Sequence, residues 1–343
     1  MSVIVLDAVG GDHGLPPNLA GARSAVVAIP ELAVTLAGPA AEIGAALGAG
    51  AGSFAVVDAP QAIEMHESPV TALRQKRQSS IAVGLREVRD GRAAGFVSAG
   101  NTGAVMAAAK TILGLIPGIA RPALVAPIPV FSGGWTMLID VGANVDCKPK
   151  HLAQFALMGS VYKEHALGVA KPRVGLLSVG TENAKGNELT KATFALLEKM
   201  PINFIGNVEG NHLMDGSADV VVADGFAGNI ALKFGETVAL GIFKFIKGRV
   251  ECNWRAKLGA ALLKPVFMDL KRMVDYAEYG GAPLLGVKGC CIIGHGKSDG
   301  RAIHNALRTA DEFARRRVNA IIEEQMAEIN RRGLLNDAAG NGE

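Results

Sequence analysis

Short runs of Val, Ile and Leu, each ending in a turn of Gly, Asn and Asp, recur along the chain with helical patterns between them. This alternation narrows the fold more than any other feature. VIVLDAVGGD begins at residue 3, FAVVDAP at 54, GFVSAGNTG at 95, TMLIDVGANVD at 136, RVGLLSVGTE at 173, FIGNVEG at 204, DVVVADGFAGN at 219 and GCCIIGHGKSD at 289. Continuous apolar runs suit strands covered on both faces, so the pattern predicts a doubly wound, mostly parallel α/β sheet. In such sheets ligands bind beyond the carboxyl ends of the strands, where these turns lie.

Composition agrees. Hydrophobic residues make up 49% of the chain but aromatics only 5%, so helices and buried strands are built from Ala, Val, Leu and Ile. The 43 glycines fall in short clusters suited to turns that let backbone approach a ligand. Two stretches break the alternation. AAEIGAALGAGAGS at 40–53 reads as a helix end with a surface connection. Residues 240–279 read as helix without strand, divided into two helices at Pro265, because proline biases Lys264 out of helical geometry. With no repeat and no long linker, residues 1–332 are expected to form one α/β unit bearing that helical appendage, and 333–343 a flexible tail.

A net charge of +3 without a dense basic face interleaved with aromatics gives no support to nucleic-acid binding. Cys147, Cys252, Cys290 and Cys291 show no CxxC spacing, which points to a reducing compartment and no structural metal. The first residues lack a basic segment followed by an apolar one, and no uninterrupted apolar run reaches about 18 residues, so a cytoplasmic location is expected.

The candidate chemistry lies in the turns. SAGNTGA at 98–104 stands between a strand and a helical run, where free N–H groups and a partial positive charge suit a phosphate or oxyanion; Asn101 and Thr102 add side-chain donors. An ordinary capped βα turn reads the same way. DAVGGDHG at 7–14 repeats the pattern, with Asp7 and Asp12 suited to orienting donors. TENAKGNELTK at 181–191 sets Lys185 and Lys191 around Gly186 and Asn187, and a lysine at a strand end neutralises phosphate as a point charge. DGFAGN at 224–229, with Asp224 and Asn229, is expected at the same sheet edge. His66 beside Glu67 suits acid–base work or is merely packed or exposed, and Arg74, Lys76 and Arg77 form a solvated face or an anion-binding edge. YGGAPLLGVKG at 279–289 reads as a Gly-rich apolar lip, and His295, Lys297, Ser298 and Asp299 follow the last strand. The nucleotide-loop patterns GxxxxGK[ST] and GxGxxG and the hydrolase elbow GxSxG are absent from the relevant positions.

The helical stretch carries a separate message. Lys244, Lys247, Arg249, Arg255, Lys257, Lys264, Lys271 and Arg272 face only Glu251, Asp269 and Asp275, a local net charge of +5 that leaves −2 on the remainder. Trp254, Leu258, Ala261 and Leu262 share one face, and Val266, Phe267, Leu270 and Val274 another. Such basic amphipathic helices suit an anionic lipid surface or an acidic protein, or else pack on the core or on a second subunit.

Taken in order, LDAVGGD at 6–12, SAGNTGAVMA at 98–107, IPGIARPAL at 116–124, DVGANVDCKPKHLAQFALMGSVY at 140–162, RVGLLSVGTENAKGNELTK at 173–191, INFIGNVEG at 202–210, ADVVVADGFAGNIALK at 218–233 and YGGAPLLGVKG at 279–289 resemble the bacterial phosphate acyltransferases of the PlsX type. Val9 stands where members of that family carry Met, and Thr181 where they carry Glu. The resemblance implies a fold like that of the isocitrate and isopropylmalate dehydrogenases and phosphotransacetylase. It also implies a homodimer peripherally associated with the inner face of the cell membrane and in contact with the downstream glycerol-3-phosphate acyltransferase. The implied reaction transfers a long-chain acyl group from acyl carrier protein to inorganic phosphate without cofactor or metal.

On that reading Lys185 and Asn229 hold phosphate and developing charge, Asp224 orients Lys185, and His66 protonates the leaving thiol. Gly100, Asn101, Thr102, Gly103, Gly186 and Asn187 bind phosphate, while Arg255, Lys257, Leu258, Leu262 and Lys264 meet membrane or carrier protein. The alternatives are a short-chain acyl-CoA phosphotransacetylase, a decarboxylating dehydrogenase of the same fold, and a non-enzymatic membrane-surface scaffold.

Overall fold

The computed structural model describes residues 2–335. Its strands are β1 (Ser2–Asp7), β2 (Leu32–Gly38), β3 (Ala55–Asp58), β4 (Gly95–Ser98), β5 (Ala123–Pro129), β6 (Trp135–Ile139), β7 (Val174–Leu177), β8 (Phe204–Val208), β9 (Val220–Val222), β10 (Ala282–Leu285) and β11 (Cys290–Ile293). Helices α1 (Leu15–Ala28), α2 (Ala40–Leu47), α3 (Pro69–Gln75), α4 (Ser80–Arg89), α5 (Thr102–Ala108), α6 (Pro149–Val161), α7 (Glu188–Leu197), α8 (Gly225–Glu251), α9 (Trp254–Leu262), α10 (Lys264–Val274), α11 (Gly300–Arg315) and α12 (Val318–Arg331) complete it. The strands form one eleven-stranded sheet in the order β3-β2-β1-β4-β11-β10-β5-β6-β9-β7-β8. The expected α/β class and mostly parallel pairing hold.

All eight apolar runs form strands, and three further strands join them. In β5 the prolines at 127 and 129 mask the pattern, since proline cannot donate to a ladder. Yet β5 pairs antiparallel with β6, Pro127 opposite Met137. The expected lip at 279–289 contains β10, which runs antiparallel to both β11 and β5. These two strands invert the sheet. Consequently β3-β2-β1-β4-β11 form one parallel set and β6-β9-β7-β8 another pointing the opposite way. The polar turns are thereby divided between two edges.

Apolar side chains of both sets are fully enclosed, among them Ile4, Leu6, Phe96, Leu138, Ile139, Val174 and Val220. Helices α1 and α11 lie against each other beside the first set, and a Cβ at Gly21 would come within 2.5 Å of Ile303. Helix α6, whose residues from His151 to Val161 are all buried, fills the space beside the second. Residues 40–53 form α2 and a following 3-10 turn, close to expectation. Of the stretch expected as a tail, Leu335 is only 2% exposed and Leu334 packs on the core; residues 336–343 lie outside the described residues.

The helical appendage departs from the two-helix expectation. Helix α8 begins at Gly225 and runs 27 residues, about 40 Å at the α-helical rise, before breaking at Asn253, which caps α9. A second break falls where expected, but Lys264 is the first residue of α10 rather than outside it, and Pro265 sits in the first turn, where its missing N–H costs nothing. Only Gly225 and Gly228 of α8 are buried, and no residue of α9 is. Beyond the first two turns of α8, where Ala227, Ala231 and Leu232 pack on the core, α8 and α9 are largely uncovered among the described residues. Ile230, Phe234, Val238, Ile242 and Phe245 make an exposed apolar stripe on α8, while Trp254, Leu258, Leu262 and Val266 are exposed nearer the tip. Although the sequence has no uninterrupted apolar run of about 18 residues, α8 is by length and composition apolar enough to cross a bilayer. Lys233, Glu236, Lys244 and Lys247 interrupt that surface.

Candidate active site

The first edge is organised by a buried carboxylate. Asp7, at the end of β1, is 1% exposed and accepts from Ser98 Oγ at 2.7 Å and from Val9 N–H at 3.3 Å. Ser98 Oγ in turn accepts from Gly100 N–H at 3.0 Å, so one carboxyl group joins the turns after β1 and β4. Burial pushes the Asp7 pKa upward, and the Ser98, Ser80, Val9 and Gly10 donors oppose it. A Cβ at Gly10 would lie 2.5 Å from Asp7 Oδ2, so the approach requires glycine.

The third turn closes on these two. Asp12 N–H donates to Gly296 C=O at 2.7 Å, and Gly294 N–H to Ser98 C=O at 2.8 Å. The loop bearing His66 folds over the same place. Asn101 Nδ2 donates to the carbonyls of Glu64, Met65 and Glu67 at 3.1–3.2 Å, and the Met65 methyl lies against Gly296. Lys76 ties the loop from the other end, reaching Glu67 at 2.6 Å and the Ala62 carbonyl at 2.7 Å.

These bonds change the expected roles. The Asn101 side chain is committed: Oδ1 caps α5 at Ala104 N–H and Nδ2 holds the loop, so it is not a phosphate donor. Gly100 N–H is committed to Ser98. Gly103 serves close packing, because a Cβ there would lie 2.6 Å from Pro69. What the turn offers an anion is the N–H groups of Thr102 and Gly103, which begin α5 and have no intrahelical acceptor. His66 is exposed above them.

The second edge has its own buried carboxylate. Asp140 follows β6, is fully buried and accepts from Leu124 N–H, Ala143 N–H, Asn144 N–H and Asn144 Nδ2 at 2.7–3.1 Å. Burial raises its pKa and these donors oppose the rise. Helix α8 is seated on the turn it holds. A Cβ at Gly228 would lie 1.9 Å from the Asp140 carbonyl oxygen, so only glycine permits this seat, and Asn229 rests against Gly142.

Asp224 Oδ1 accepts from Ala227 N–H at 2.8 Å and caps α8; among the described residues no hydrogen bond or ion pair joins it to Lys185. Lys185 is exposed, its backbone N–H donating to Glu182 C=O at 3.0 Å. Gly186 adopts φ 109°, a left-handed conformation that favours glycine, and Asn187 caps α7 at Thr190 N–H. Because β7 pairs parallel with β9, the Lys185 and Asn229 turns do share an edge.

Asn229 and Lys233 are one helical turn apart on one face, and Lys233 with Glu236 lies close enough to His295 to act on its charge. Partial burial first, then Lys233 and Lys297, holds the His295 pKa below the ordinary histidine range. Sequence reasoning quoted His295 without giving it a role and missed Lys233 and Asp140. The one available signal was spacing, since position 233 falls four residues after Asn229 within an apolar helical run.

The thiols do not suit nucleophilic work. Cys290 and Cys291 are buried in β11, burial pushing the Cys291 pKa up to about 12, and Cys147 is pushed up to about 11, mainly by burial. No group of three or more His, Cys, Asp or Glu side chains among the described residues is placed to hold a metal. Turnover is therefore expected to survive both a strong chelator and thiol alkylation under native conditions. Inactivation by chelator, reversed by one added metal, would contradict this.

A doubly wound, mostly parallel sheet with polar turns beyond its strand ends at two edges places the chain among the α/β proteins. The fold resembles solved structures of a phosphotransacetylase from Streptococcus pyogenes (TM-score 0.60, 15% identity, 91% of this chain and 94% of that one) and a 4-hydroxythreonine-4-phosphate dehydrogenase from Klebsiella pneumoniae (TM-score 0.55, 13%, 92% and 100%). Residues 2–321 match the family model described as fatty acid synthesis protein. Phosphate acyltransferases from Bacillus licheniformis and Bacillus subtilis are 49% and 47% identical, over 94% and 95% of this chain and 98% of each relative. The chain belongs to the phosphate acyltransferase family and is an acyltransferase.

Proposed function

We propose that this enzyme transfers a long-chain fatty acyl group from the thioester of acyl carrier protein to inorganic phosphate, forming an acyl phosphate for phosphatidic acid and phospholipid synthesis. The observation that supports this reading is the second edge, where Asn229 rests against the Gly142 turn and the Lys185 turn lies beyond the ends of the same parallel strands.

Hydrogenphosphate attacks the thioester carbonyl, the C–S bond breaks, and the P–OH proton is balanced by the proton gained by the departing thiolate. Thr102 and Gly103 N–H groups orient phosphate from the first edge, with Gly186 and Asn187 beside Lys185 on the second. Asn229 and Lys185 take up charge that develops on phosphate and on the carbonyl oxygen. Such fixed donors lower the barrier because they need no reorganisation during the reaction. His66 is proposed to protonate the thiol, consistent with its exposed loop over the α5 turn.

The rest of the architecture supports a peripheral homodimer. The α8 stripe from Ile230 to Phe245 suits a second copy of itself, and the basic apolar tip suits the anionic inner face of the membrane or carrier protein. Residues 1–332 act as one catalytic unit in the cytoplasm, within reach of a downstream glycerol-3-phosphate acyltransferase. The donor is tested by comparing phosphate-dependent thiol release from long-chain acyl carrier protein with that from short-chain acyl-CoA. Faster turnover of the short CoA thioester would replace this reading with a phosphotransacetylase.

A further inference from the structure

The buried carboxylate of the second edge has no role in the scheme above, yet every one of its polar contacts bears on one short turn. Asp140 Oδ1 accepts from Leu124 N–H at 2.9 Å and from Ala143 N–H at 3.1 Å. Oδ2 accepts from Asn144 N–H at 2.7 Å and from Asn144 Nδ2 at 2.9 Å. Among the described residues its hydrogen-bond partners are all neutral, and no ion pair reaches it. A fully buried carboxylate without a counter-ion is a costly way to stabilise a core, so its place calls for another reason.

Helix α8 stands on the turn that Asp140 holds. Gly225 N–H donates to Asn144 C=O at 2.7 Å, and a Cβ at Gly225 would come within 2.6 Å of that oxygen. Gly228 sits so close to the Asp140 carbonyl that the first turn of the helix cannot slide along it. Asn229 is the next residue, and its side chain lies 3.6–3.7 Å from the position of a Cβ on Gly142, inside the same turn. The place of the Asn229 amide is thus set by residues 140–144, and the shape of that segment by the Asp140 carboxylate.

We propose that Asp140 is a positioning residue for acyl transfer, which fixes the Asn229 amide through the 140–144 turn. The inference deepens the proposed function and rests on it for what Asn229 does. An ionised carboxylate is an acceptor only, and its two oxygens meet four donors; in an amide of the same shape an NH2 group would confront two of them. The turn would have to open, and Asn229 would move with it. A displacement of about 1 Å in a reacting group costs up to about 10²-fold in rate. Because Asn229 is assigned to charge that develops during the reaction, the loss falls on kcat more than on KM.

The test measures kcat, KM and folding for Asp140→Asn, Asn144→Ala and Thr136→Val, each alone and combined with Asn229→Ala. Thr136 is buried at the other end of β6 and donates to Ala218 C=O at 2.9 Å, so its replacement lowers stability without touching the turn. Asp140→Asn should reduce kcat by about 10- to 100-fold with KM within a few-fold of wild type. Asn144→Ala, which keeps the backbone donors, should lose less, and Thr136→Val should keep its kcat. In the Asn229→Ala background the first two changes should cost almost nothing further, since groups that act through one another are not additive. In protein labelled with 15N-asparagine, the Asn229 side-chain amide signal, identified by its loss in Asn229→Ala, should shift in Asp140→Asn and Asn144→Ala and stay in place in Thr136→Val.

A folded Asp140→Asn variant with wild-type kcat overturns the proposal, as does a loss that multiplies fully with that of Asn229→Ala. If Asp140→Asn does not fold, Asn144→Ala carries the same cycle, and an unmoved Asn229 signal in it is equally fatal. Wild-type protein that forms no acyl phosphate would refute the proposed reaction, and the Asn229 signal would then decide the positioning claim by itself.

Discussion

Lys185→Ala and Asn229→Ala should each lower the rate of acyl-phosphate formation by ~10²–10³, the usual effect of removing one positioned donor to developing charge. Neither change should unfold the protein. Lys185 is exposed on its turn, and the seat of α8 depends on Gly228 and Gly225 rather than on the Asn229 amide. Asp224→Ala provides the contrast. It removes the cap on Ala227 N–H and should cost about 1 kcal/mol of stability, so any loss of turnover should follow the loss of fold. Near-wild-type turnover by folded Lys185→Ala and Asn229→Ala would remove both from the site.

The second large effect concerns α9 and the start of α10 in the helical appendage. Arg255, Lys257 and Lys264 are exposed, and Leu258 and Leu262 beside them are 59% and 78% exposed. A basic residue near an anionic bilayer contributes about 1 kcal/mol, screened within roughly 8 Å at physiological salt. Reversing all three charges should therefore reduce partitioning onto anionic vesicles by at least about a hundredfold, and added salt should mimic the change. Turnover of a small acyl donor should remain. Replacing Leu258 and Leu262 by Asp separates insertion, which needs the apolar face, from electrostatic docking of carrier protein. Co-sedimentation and turnover with carrier protein, measured together, read both effects. Dissociation of a dimer with no change in vesicle binding would make the tip a subunit contact instead.

Periodicity made the strands legible wherever the apolar run was continuous, as in Val220–Val222, and hid them where proline or glycine diluted it, as in Ala123–Pro129 and Ala282–Leu285. Those two strands decide the topology, because they reverse the sheet and send the turns to opposite edges. Asn101 and Asp224 are committed to capping, a use that only the three-dimensional neighbours of a side chain reveal. Lys233 was invisible for the opposite reason. Inside an apolar helical run it reads as a solvated charge, and the structure pairs it with Glu236 at 2.9 Å on the same helix. The basic character of the helical appendage, by contrast, was plain in the sequence, and the structure adds that its apolar side chains are exposed among the described residues.

The central claim is tested most directly by phosphorus NMR of a mixture of purified enzyme, long-chain acyl carrier protein and inorganic phosphate. The account predicts an acyl phosphate resonance that grows in step with free carrier thiol, is trapped by hydroxylamine as the acyl hydroxamate, and fails to appear without phosphate or with Asn229→Ala. Release of free fatty acid and thiol at the same rate with and without phosphate would contradict it.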